Sequence, residues 1–82
     1  MERIVRAVNV GHTVFALIAG EGPEHWSIIR GGKVKPETFA DLPQAVGFAV
    51  QMLEQTGQLE EAHLLSAYQE STRAKAREGY NR

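Results

Sequence analysis

The side chains with which this chain would bind a metal or move a proton are His12, His25 and His63. No two of them stand at the i,i+4 or similarly close spacing that turns a pair of rings toward one ion. Ser27, Ser66 and Ser71 lie in no nucleophile-elbow pattern, and the chain has no cysteine, so acyl transfer and thiolate chemistry both lack an activated nucleophile. Gly20-Glu21-Gly22 is the one glycine cluster with the look of a phosphate cradle. A nucleotide loop needs a further glycine opening a helix inside a βαβ unit, and here Pro23 and a strand-like run follow instead. The expectation is a non-catalytic protein that carries no cofactor and no metal.

Binding chemistry is better represented, in two opposite forms. Arg6, Arg30, Lys33 and Lys35 fall on or beside strand-like segments together with Trp26, and Trp26, Ile28 and Arg30 alternate onto one strand face. An aromatic ring beside a cation is the pairing that stacks a base and holds a phosphate, so these residues define a nucleic-acid-binding alternative. The same residues also serve a plain structural purpose, with Trp26 as an apolar anchor and the cations guarding exposed strand edges.

The opposite chemistry lies further along. Residues 1–36 carry net charge +2, residues 37–70 carry −6 with no lysine or arginine among them, and residues 71–82 carry +3, so the total of −1 conceals a polarised chain. Glu54, Glu60, Glu61 and Glu70 fall on helical segments and form a candidate acidic surface for a basic partner, with Glu37 and Asp41 near the helix start. In size and charge pattern the chain resembles small phage-borne inhibitors, which implies a regulatory, inhibitor-like role in protein binding. The basic end, with Arg73, Lys75 and Arg77, suits the C-terminal dipole of a helix without any ligand.

The elements that must position these residues are a meander and a helical hairpin. Arg3–Val8, Thr13–Ala19 and His25–Arg30 are rich in β-branched and aromatic residues and are separated by glycine-bearing turns. Gly31-Gly32 supplies the two positive-φ positions of a tight hairpin, and Lys33–Lys35 is a short fourth strand expected to end at Pro36. Asp41, with Gln44 three residues on and Pro43 in the first turn, opens a helix. Thr56-Gly57 ends it, and a second helix is expected over 58–78, closed by Gly79. Leu53-Glu54-Gln55-Thr56-Gly57-Gln58-Leu59-Glu60-Glu61-Ala62 is similar to the inter-helix turn of tetratricopeptide-type repeats, which implies an antiparallel pair. The fold class is therefore α+β: an antiparallel three- to four-stranded meander (1–36), then two helices (41–78) on one sheet face, with a basic end (71–82), all in one domain.

Apolar surface is in excess. On the first helix, apolar side chains span roughly 200° of arc, where a stripe of about 100° suffices against one sheet. On the second strand Val14, Ala16 and Ile18 alternate with Phe15, Leu17 and Ala19, so both faces are apolar. Two short helices cover one face. A second layer from another copy, most simply in a two-fold homodimer, would cover the rest, with Trp26, Phe48, Met52 and Tyr68 as expected interface residues. No apolar run reaches the ~20 residues of a membrane span, and the lack of cysteine suits a reducing compartment, so a cytoplasmic location is expected.

Overall fold

A computed structural model of the chain describes the backbone of residues 1–80 and the side chains of residues 1–72. Its elements are β1 (Arg3–Val10), β2 (Thr13–Ala19), β3 (His25–Arg30), β4 (Lys33–Phe39), α1 (Leu42–Gln55) and α2 (Leu59–Tyr80). The four strands form one antiparallel sheet in the order β1-β2-β3-β4, and the two helices pack against it, which makes the fold α+β. Arg73, Lys75, Arg77 and Arg82 of the basic end lie outside the described side chains.

Two strands run further than their sequence suggests. β1 continues through Asn9 and Val10, because Val10 pairs with Thr13 and the turn tightens to Gly11-His12, with Gly11 at φ 61°. β4 passes Pro36 and ends at Phe39. Ile29 pairs with Val34 while Ser27 pairs with Thr38, so residues 35–37 bulge opposite a single residue of β3. A residue with no N–H is tolerated there, on an edge strand where the ladder is already interrupted. Gly31 and Gly32, at φ 58° and 75°, make the tight β3–β4 hairpin.

The helices follow local rules. The Asp41 carboxylate accepts from the Gln44 amide at 2.9 Å, satisfying one of the donors left open at the start of α1, and Pro43 occupies the first turn, where no donor is required. The Thr56 amide and hydroxyl both donate to the Met52 carbonyl and close the last turn. The chain then reverses and α2 runs back along α1. Gln69 Nε2 donates to the Pro43 carbonyl at 2.9 Å, beside Gly47, where a Cβ would approach the same nitrogen to 3.1 Å. α2 begins at Leu59 and runs through Gly79 to Tyr80, two residues beyond its expected end.

The core lies between sheet and helices. Phe15, Ile28 and Trp26 from the central strands and Val10 from β1 meet Ala45, Val46, Ala49 and Leu53 of α1 and Ala62 and Leu65 of α2. Small residues on both helices let them sit close to the sheet, and the molecule is correspondingly thin, 39 × 35 × 16 Å. No helix among the described residues is long and apolar enough to cross a membrane.

Candidate interaction surface

The two faces of the sheet differ because successive strand residues point to opposite sides. Phe15, Leu17, Trp26, Ile28 and Arg30 turn toward the helices. The other face is set out in rows by the register. Ala7, Ala16, Ser27 and Thr38 align across all four strands, a row of small side chains. On one side of it stand Ile4, Ile18 and His25; on the other, Asn9, Val14, Ile29 and Val34. No aspartate, glutamate, lysine or arginine occurs in these three rows. Ile4 and Val34 are 57% and 61% exposed, and Val14, Ile18 and Ile29 are half-buried with none of the described elements above them. Ala16 and Ser27 are inaccessible although no helix lies over them, because the taller rows on either side shade them.

Polar side chains concentrate elsewhere, where the β1–β2 turn and the end of β3 meet the start of α2. One oxygen of Glu61 accepts from the His12 amide at 3.1 Å, from the Thr13 hydroxyl at 2.8 Å and from Arg30 Nη1 at 2.5 Å. Arg30 also donates to the Thr13 hydroxyl and, through Nη2, to Gln58 Oε1 at 3.0 Å. Gly11 makes room for this clasp, since a Cβ there would come within 3.1 Å of the Glu61 side chain. The pair is largely withdrawn from water, with 18% of the Arg30 side chain and 9% of the Glu61 side chain exposed. Burial by itself would raise the Glu61 carboxyl; the hydrogen bonds from Arg30, Thr13 and the His12 amide, with the guanidinium charge, more than offset it and hold the group below its ordinary value.

The residues expected to form the acidic and basic surfaces are redistributed by this arrangement. Arg30 and Glu61, assigned from sequence to opposite surfaces, hold each other. Arg6 lies over the Trp26 ring, 5.9 Å from its centroid, on the covered face. Lys33 is exposed at the tip of the β3–β4 hairpin, and Lys35 is half-buried in the bulge. Glu54, Glu60 and Glu70 are exposed on the helices.

The expected interface residues also lie on the helix side. Trp26 is within the core at 7% exposure, Phe48 packs on Phe39 with ring centroids 5.3 Å apart, Tyr68 leans on the core, and Met52 is half-buried. His12, His25 and His63 stay in different elements. The surface that stands open, Ile4–Ile18 and Val14–Ile29–Val34, was signalled by the uninterrupted apolar character of β2. The Arg30–Glu61 clasp had no local signal, since 31 residues separate its partners. Comparison with protein-family models, with curated proteins and with solved structures finds no match to this chain.

Proposed function

We propose that the chain is a non-catalytic protein-interaction module of the cytoplasm, and that its docking element is the uncovered face of the sheet. One observation carries this reading: a sheet face free of aspartate, glutamate, lysine and arginine, on which Ile4, Val14, Ile18, Ile29 and Val34 stand, is left uncovered by the two helices. Antiparallel strands that meet water on one face alternate apolar with polar residues, and β2, at the centre of this sheet, is apolar on both faces from Val14 to Ala19. Contiguous apolar surface of this extent marks an interaction site more often than a solvated face. The helix layer, with Glu54 and Glu60 exposed, lies on the opposite side of the molecule and would remain available to a basic partner, as a regulatory or inhibitor-like role would need. For nucleic acid, the stacking residue of the alternative, Trp26, has little surface to offer.

A photo-crosslinking amino acid at Val34, compared with one at Gln51 on the exposed side of α1, tests the reading. Protein adducts, to whatever partner, are expected at Val34 and not at Gln51. Adducts confined to Gln51, or absent at both positions, would sink it.

A further inference from the structure

We infer that the occupant of the open sheet face is a second copy of this chain, packed sheet to sheet about a two-fold axis; the inference rests on the reading that this face is a docking surface. In a two-fold contact each patch meets itself, so the charge of the patch decides whether like charges are brought together. The helix layer fails this condition, because Glu54 and Glu60 of one copy would approach those of the other. The sheet face satisfies it, since its three rows contain no aspartate, glutamate, lysine or arginine.

Size points the same way. Four strands about 4.8 Å apart and roughly 20 Å long present on the order of 400 Å² in plan, and more once the relief of the rows is counted. Two such faces bury about 1,000 Å² together, near the lower bound for a specific protein–protein contact. Sheets pack face to face about 10 Å apart, so two molecules 16 Å thick would form a helix–sheet–sheet–helix sandwich with all acidic helix surfaces outward. The resulting seam holds Ile4, Ile18, Val14, Ile29 and Val34 in place of the helix-side residues Trp26, Phe48, Met52 and Tyr68.

The test is the mass of the chain in solution by light scattering after size exclusion, beside Ile18→Lys and Val34→Lys. The wild-type chain is expected to have the mass of two copies at about 100 µM, a concentration that populates any dimer with Kd below ~10 µM. Each substitution places two ammonium groups in the seam and is expected to raise the dissociation constant by roughly a hundredfold, giving single chains. Val34 is 61% exposed in the lone subunit, so Val34→Lys should keep an unchanged far-UV circular dichroism spectrum. A wild-type chain that stays single at about 1 mM overturns the inference, and so does a dimer indifferent to both substitutions. If the wild-type chain is single yet Val34 still yields adducts to another protein, only the identity of the occupant is wrong. With no adducts either, the docking reading falls as well.

Discussion

Glu61 is the residue on which three elements converge, and it makes the stability of the fold depend on pH in a calculable direction. A carboxyl held below its ordinary value is ionised more readily in the folded chain than in the unfolded one. Its contribution is complete above the ordinary carboxylate range and is lost as pH falls through the lowered value. Replacing it by glutamine removes the charge and leaves the guanidinium of Arg30, itself mostly buried, with neutral acceptors only. Glu61→Gln should therefore cost about 2 kcal/mol at pH 7. The gap from wild type should narrow as urea unfolding is repeated toward pH 3; a gap that stays constant would mean that the charge of Glu61 does not matter. The clasp also bears on any search for nucleic-acid binding. Arg30→Ala would strip Glu61 of its main partner and weaken the fold, so a lost gel shift in that variant would say little about phosphate contacts. Lys33→Ala with Lys35→Ala leaves the clasp whole and is the cleaner probe.

At the scale of elements, what local sequence dictates can be separated from what packing decides. The Asp41–Gln44 spacing is a short-range device, and the carboxylate reaches the Gln44 amide as that spacing implies. Asp41→Ala should then lower stability by about 1 kcal/mol, read as a lower urea midpoint with an unchanged slope. A change of slope would point to a broader rearrangement than the loss of one cap. Gly31-Gly32 is equally local, and the hairpin it makes was legible for the same reason. The limits of β1 and β4 were not. Whether Val10 joins the ladder depends on Thr13 across the turn, and whether Pro36 ends a strand depends on a bulge that β3 tolerates opposite Ile28. The candidate surface was legible by halves: the alternation in β2 showed that both faces are apolar, and only the docking of α1 and α2 decided which was covered. Trp26, Phe48 and Tyr68 attract attention by size, but the layer between sheet and helices takes them up. The smaller aliphatic residues Ile4, Val14 and Val34 are left outside.

At the scale of the whole molecule, the segregation of charge also distinguishes the two ends of the strands. Glu21 and Glu24 stand in the connection between β2 and β3, and Lys33 and Lys35 stand at and near the opposite end of the sheet, by the β3–β4 hairpin. Glu21 lies 3.8 Å from the Met1 amino group, but both are almost wholly exposed and such a pair contributes little by itself. If two sheets meet face to face, a two-fold axis running across the strands superposes the acidic end of one copy on the basic end of the other, whereas an axis along the strands sets like against like. The first arrangement is electrostatically favoured, and rim charges of this kind act mainly on the rate of encounter and on sensitivity to salt. Reversing Glu21 and Glu24 to lysine should then slow association and weaken the dimer by several-fold at low salt. Adding Lys33→Glu and Lys35→Glu to the same chain should restore it, because both rims are exchanged together. Association kinetics followed across a salt series provide the measurement. Recovery in the fourfold variant, fading as salt rises, is the expected result. A fourfold variant as weak as the first reversal would reject the crosswise axis, since complementary rims would then have been rebuilt without effect.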